Sequence, residues 1–461
     1  MKKRLITLAV STAMLGAATQ VQAAGFQLAE YSATGLGRAY AGEAAMADNA
    51  AAQFRNPAML TYLEGTQVST GAILVMPNID INGEVTYIDG VNSTSAKDIA
   101  GDAVVPNFYV SHQLNEQWYL GLALGSNFGM ATELDDSFRG TQFGNEASVT
   151  TVEINPNIAY RINEQFSVGA GVRFVLGEGS IGAKSSADTM IPLSDLGINQ
   201  GIPVAKGTTL KYMEGDDTSW GWQLGAAWQI NANNRIGVNY RSEVKQTLSG
   251  EANGVAFNLY DPEVIGAAVG SIMAGQTPEL APEKKYAGSM DLTLPATAEI
   301  ASFHQLTDKL ALHASVNWTD WSSFEKLEAY IPELTNPTQL VKQENWEDSY
   351  RFAVGTTYQL NEKMSLRGGV AYDMSAVSDA NRTLTIPEMD RLWLSVGMGY
   401  AFSENFDMDL GFTYIFADES PVVEPRPGIE SDNSSALFGG TFSGTTSGNI
   451  ALLGVQATYR F

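Results

Sequence analysis

Along much of the chain, apolar and polar residues alternate one for one. Phe406, Met408, Leu410, Phe412, Tyr414 and Phe416 interleave with Asp407, Asp409, Gly411 and Thr413. Phe166, Val168, Ala170, Val172, Phe174 and Leu176 interleave with Ser167, Gly169, Gly171 and Arg173. The same rhythm runs through Trp220, Trp222, Leu224, Ala226 and Trp228, and through Tyr350, Phe352, Val354 and Tyr358. A period of two marks a strand with unlike faces. Segments of roughly ten residues with this pattern match strands that cross a membrane at a tilt.

Short Asn- and Asp-rich clusters separate these segments. Leu114-Asn115-Glu116-Gln117-Trp118 and Ile162-Asn163-Glu164-Gln165-Phe166 are near copies of one another. Related clusters lie at Ile230–Ile236, Leu306–Leu310, Leu360–Met364 and Phe402–Phe406. This is tight-turn chemistry. Each turn joins two strands, and one further strand opens and one closes the series. The expectation is an all-β, antiparallel transmembrane barrel of about fourteen strands, from near Thr66 to Phe461. A soluble sandwich would also alternate. Against it stand aromatics at the ends of the apolar faces and loops that are tight at one end and long at the other. In lipid, a closed sheet satisfies every backbone group.

Composition sharpens this picture. The chain has 45 Gly, 19 Phe, 18 Tyr, 8 Trp, no Cys and 17% charged residues, a mixture suited to a large β-protein without disulfides. Met1-Lys2-Lys3-Arg4, the apolar run Leu5–Ala18 and Val21-Gln22-Ala23 read as a secretory signal over residues 1–23, with the mature chain starting near Ala24. Its apolar run is short of the roughly 20 residues that a membrane-spanning helix needs. Losing Lys2, Lys3 and Arg4 with the signal takes the formal charge three units lower, from −24 to about −27. Such acidity excludes nucleic acid as a partner. It reads as solvated loops, with divalent cations or surface lipid as the alternative. No cofactor or metal site is expected.

Residues 24–65 do not alternate. They are rich in small residues, suggest short helices and end in Arg55-Asn56-Pro57-Ala58, where Pro fixes a turn. Composition leaves open whether they fold inside the barrel or form a free periplasmic tail.

Ala24-Gly25-Phe26-Gln27-Leu28, Gly35-Leu36-Gly37-Arg38-Ala39-Tyr40 and Arg55-Asn56-Pro57-Ala58 resemble the N-terminal hatch of the FadL family of outer-membrane long-chain fatty-acid transporters. Ser126-Asn127-Phe128-Gly129, Tyr240–Lys245, Tyr350-Arg351 and Asn381–Arg391 extend the resemblance over nearly all of the mature protein. It implies a hatch over 24–65 inside a barrel over 66–461, in the outer membrane of a Gram-negative bacterium. It also implies a route: a loading groove among the outer loops, a pocket touching the N-terminus, and sideways release through a kink in the third strand. The assembly machinery for barrels and outer-membrane lipid are the implied partners.

On that reading Phe26 contacts the ligand pocket, Asn56, Pro57 and Ala58 anchor the hatch, and Ser126, Asn127, Phe128 and Gly129 form the lateral opening. The loading groove draws on Met190, Ile191 and Leu193 in one loop. In another, Asp261-Pro262-Glu263 starts a helix with Val264, Ile265, Ala268 and Ile272 on one face. Mutual packing of the loops is the competing account of these apolar clusters. Family members grip the carboxylate with two cations, which align beside Ala183 and Lys184 and at Glu328. Neither position carries over, so Lys184, Lys326 and Arg351 are the candidates. A missing clamp would suit relatives that take up neutral monoaromatic hydrocarbons. A general diffusion porin and an outer-membrane hydrolase are the remaining alternatives; for the latter, His112, His304 and His313 have no catalytic motif around them.

Overall fold

A computed structural model of the chain describes residues 25–87, 90–192, 201–429, 432 and 440–461. The expected signal over 1–23 lies outside them, as do Leu193 and the start of the mature chain at Ala24. The described chain forms a closed antiparallel barrel of fourteen wall strands. In order they are Thr66–Tyr87; Ala103–Gln113; Trp118–Gly125 continued by Gly129–Glu133; Glu146–Arg161; Phe166–Lys184; Thr209–Asn231; and Asn234–Arg241 continued by Val244–Asn253. Then follow Tyr286–Leu294 continued by Thr297–Gln305; Leu310–Thr319 continued by Lys326–Tyr330; Thr338–Gln343 leading into Ser349–Gln359; Met364–Asp373; Arg391–Ala401; Phe406–Glu424; and Thr441–Arg460. The first and last strands close the wall through an unbroken register from Gln67↔Arg460 to Thr86↔Thr441.

The tight turns form because one side chain does the same work in each. Asn115 Oδ1 accepts from the Gln117 and Trp118 amides, both at 2.9 Å. Asn163 does so for Gln165 and Phe166, and Asn361 for Lys363 and Met364. These are Asx turns, in which the side chain mimics the backbone.

Outward positions of the strands are apolar and solvent-accessible in the isolated chain. Val354 is 61% and Val396 60% exposed, values that mark lipid contact rather than a core. Trp118, Phe166, Trp228, Tyr358 and Phe402 rim this belt near the tight turns, and Trp220, Tyr350, Tyr372 and Phe416 rim the other edge. They form the two aromatic girdles of an outer-membrane barrel.

Residues 25–65 run inside the wall. Short helices at Ala33–Leu36 and Ala52–Arg55 and 3₁₀ turns at Glu43–Ala45 and Pro57–Tyr62 are buried nearly throughout. Small residues let this segment lie directly on the wall: a Cβ at Gly397 would sit 2.6 Å from the Gly37 Cα. Arg38, fully buried, joins Glu43 and Asp48, each at 2.6 Å. The Asn56 amide donates to Ala44 O (2.6 Å) and to Ala226 O of the wall (3.1 Å), and its Oδ1 accepts from the Ala58 amide at 3.0 Å. Asn56 thus caps the 3₁₀ turn that Pro57 starts and ties it to the sixth wall strand.

Candidate ligand pocket and wall opening

Above the inner segment, the barrel is lined by apolar side chains. Phe26 stands at the centre, 1% exposed. Its ring lies 4.6 Å from Trp321, 5.5 Å from Phe324, 5.8 Å from Trp346 and 6.0 Å from Phe128. Met130, Val175, Val244, Leu248, Leu292 and Val341 belong to the same cluster. Aromatic pairs at these separations add about 0.5–1.5 kcal/mol each beyond area burial. Gly25 has φ +62°, and a Cβ there would come within 2.5 Å of the Trp321 ring, so glycine is required for the segment to turn into the cluster. Two acids nearby are buried as well. Glu344 accepts from Trp346 Nε1 at 3.1 Å, and burial raises its carboxyl. Burial likewise raises Glu388, which pairs with Arg391, to about 7.

The segment carrying Phe26 also meets the wall. The third wall strand stops at Gly125 and resumes at Gly129. Its ladder with the second strand runs from Gln113↔Tyr119 to Phe108↔Leu124, although the second strand continues to Ala103 beside the first. At the interruption the N-terminal segment takes up the pairing. The Leu28 amide donates to Asn127 O (2.6 Å), the Gly129 amide donates to Phe26 O (2.8 Å), and Gln27 faces Phe128. On the other side Thr151 fixes the break, its hydroxyl donating to Phe128 O at 2.7 Å. Asn127, Phe128 and Gly129 therefore meet the Phe26–Leu28 segment at one place, and Ser126 joins the break by its hydroxyl on Phe128 O (3.2 Å).

The proposed carboxylate partners are dispersed. Lys184 lies 3.7 Å from Asp136 and is about one-third exposed. Lys326 pairs with Glu328 at 2.9 Å and is also partly exposed, while its neighbour Leu327 points into the cluster. Arg351 is buried; it donates to Ala39 O at 2.8 Å and stacks on Trp393, holding the inner segment. Sequence reasoning missed Lys211. It opposes Ala183 in the ladder, and its Nζ reaches Val341 O at 3.0 Å, at the edge of the apolar cluster. Trp321, Phe324 and Trp346 were missed as well, because they come from stretches without alternation.

Among the outer loops, Asp261 Oδ1 accepts from the Glu263 and Val264 amides and starts the helix Pro262–Met273. Ile191, Ala268 and Ile272 pack together with Ala183, Ile202, Val204 and Leu210. Val264 and Ile265 are partly exposed, and Met190 is half exposed. His313 is buried, stacked on Phe303, with Nε2 at 2.9 Å from Thr357 Oγ1.

Comparison with known proteins agrees with this architecture. Residues 14–461 match the family described as outer membrane protein transport protein (OMPP1/FadL/TodX). A long-chain fatty acid transport protein of Escherichia coli is 34% identical, over 95% of this chain and 97% of its own length. Outer membrane protein P1 of Haemophilus influenzae is 34% identical over 98% of both chains. Among solved structures, a Pseudomonas aeruginosa FadL homologue superposes with a TM-score of 0.80 at 24% identity, covering 95% of this chain and all of that one. The Ralstonia pickettii toluene transporter TbuX shares the fold at a TM-score of 0.59 and 18% identity, over 90% of this chain and 94% of its own. The chain belongs to the OMPP1/FadL/TodX family and is an outer-membrane β-barrel transport protein.

Proposed function

We propose that this transporter of hydrophobic compounds takes up long-chain fatty acids, holds them in the pocket now filled by Phe26, and releases them sideways through the interrupted third wall strand. The observation that carries the reading is that one short segment, Phe26-Gln27-Leu28, both sits in the aromatic cluster and pairs with the third wall strand at its interruption. A ligand tail that displaces Phe26 gains roughly 0.8 kcal/mol per buried CH₂. The same displacement removes the segment's hydrogen bonds to Asn127 and Gly129. Binding and opening are therefore one event, and the tail passes into the bilayer without crossing water. In this reading Asn56, Pro57 and Ala58 keep the remainder of the hatch in place. Met190, Ile191, Val264, Ile265, Ala268 and Ile272 form the surface where ligand first lands.

Lys211 is the cation best placed for the carboxylate. It stands across from Ala183, where the family's pattern calls for a basic side chain, and its amine meets a carbonyl at the pocket edge. Lys184 and Lys326 are already beside carboxylates.

Binding of oleate and oleyl alcohol to the detergent-purified protein tests both points. The expected result is saturable oleate binding stronger than that of the alcohol. Lys211→Met should weaken oleate about tenfold, the worth of one hydrogen bond to a charged group, and leave the alcohol unchanged. Equal affinity for acid and alcohol, or preference for toluene, would move the protein to uptake of neutral hydrophobic compounds. The apolar lining around Phe26 favours that second reading.

A further inference from the structure

Behind the break in the third wall strand lies a buried charge cluster that the pocket does not use. Glu153 of the fourth wall strand stands opposite Gly125, the last residue before the interruption. Its Oε2 accepts from Arg173 Nη2 (2.9 Å) and Nε (3.1 Å), and its Oε1 from Arg241 Nη2 (2.5 Å). One carboxylate is thus shared by two guanidiniums, and all three side chains are almost fully buried. Beyond Glu153 neither arginine has a second ion pair among the described residues: Arg173 donates to Ser242 O (2.8 Å), and Arg241 to Gln223 Oε1 (2.8 Å) and Phe54 O. A guanidinium has five N–H donors, so donors remain. Glu153 Oε2 also accepts from Asn127 Nδ2 at 2.7 Å, which ties the cluster directly to the break.

Across the gap stands Asn107. It occupies an inward position on the second wall strand, one residue beyond the last rung shared with the third strand. It is 3% exposed, and neither atom of its amide has a hydrogen-bond partner among the described residues. Leaving a buried amide unpaired costs about 1–3 kcal/mol, and a surplus buried positive charge costs more. Both costs fall if an anion that also accepts a hydrogen bond comes to the gap.

We infer that Asn107 and the Glu153–Arg173–Arg241 cluster form a second, transient station for the carboxylate of a departing fatty acid, holding the head group while the tail enters the bilayer between the second and third wall strands. The inference rests on the fatty-acid reading above and extends it to the exit. An ionised carboxylate cannot follow its tail directly into hydrocarbon, because an unpaired charge there is heavily penalised. A station at the wall lets the tail partition first. A neutral ligand needs no such station, and that difference makes the idea testable.

The experiment compares uptake of radiolabelled oleate and oleyl alcohol by cells carrying the full-length protein, Asn107→Leu or Arg173→Gln. Each variant is checked for a heat-modifiable barrel and for oleate binding after purification. The expected result is oleate uptake reduced about tenfold in both variants, the scale of a hydrogen bond to a charged group, with alcohol uptake and oleate binding retained. Equal loss for acid and alcohol, or no loss for the acid, would overturn the station. If Arg173→Gln fails to form a barrel, Asn107→Leu decides alone, since it removes a side-chain amide without a hydrogen-bond partner among the described residues. A wild-type protein that carries no oleate would overturn the fatty-acid reading itself, a result distinct from the other two.

Discussion

Two seams of the barrel wall stand in contrast, one unbroken and one that stops short. Between the first and last strands, backbone pairing runs without interruption from Gln67↔Arg460 to Thr86↔Thr441. Between the second and third, it ends at Phe108↔Leu124. Both seams lie in the same apolar belt, and an unpaired backbone group there costs several kcal/mol. The difference teaches where the protein supplies a substitute. At the interruption the third strand pairs instead with the N-terminal segment, which docks on it by two backbone hydrogen bonds and one aromatic ring. A segment held by two hydrogen bonds has far less to give up than a ladder of twenty rungs, and the proposed release depends on that difference.

Several substitutions break or sharpen that contrast. The largest effect is expected from Phe26→Ala. Removing this fully buried ring costs about 3–5 kcal/mol of packing, felt where the segment docks. Hydrogen exchange at the Leu28 and Gly129 amides should accelerate by about a hundredfold or more. Amides of the closing seam, such as Val75, should keep their protection. Gly397→Ala comes next. A Cβ there collides with Gly37, and overpacking of about 1–3 kcal/mol should lift the inner segment off the wall and raise steady ion current in a planar bilayer. Thr151→Val removes a hydroxyl that donates to Phe128 O and accepts from the Phe128 amide, and should speed exchange near the break modestly, in line with about 1 kcal/mol per bond. Lys184→Ala breaks only the partly exposed contact with Asp136. It should change thermal stability by no more than a few tenths of a kcal/mol.

Much of the wall is legible in the sequence because its causes are local. The Asn115, Asn163 and Asn361 turns announce themselves by the side chain that builds them, and the outward positions from Phe166 to Phe174 follow from period two alone. The resemblance drew attention to Phe26 and to Ser126–Gly129. What brings them together is not local. Trp321, Phe324 and Trp346 enter the pocket from a 3₁₀ turn and a loop between strands, where no periodicity marks them. Lys211 looks like any charge near a strand end; only its reach to Val341, 130 positions away in sequence, sets it apart. Arg173 and Arg241 read as ordinary inward charges until Glu153 is seen to serve both. Arg351 sits inside the barrel as its strand face suggests, yet it holds the backbone of Ala39.

The account turns on the N-terminal segment leaving the wall. Gln27 and Phe128 face each other in a pair whose flanking residues carry the hydrogen bonds. Such pairs bring Cα atoms to about 4.5 Å, within the range a disulfide accepts. The chain has no native cysteine to compete. The most direct measurement is oleate delivery by Gln27→Cys/Phe128→Cys, compared between its oxidised and reduced forms. The account predicts no delivery when the segment is locked and recovery on reduction. Equal delivery by the two forms would contradict it.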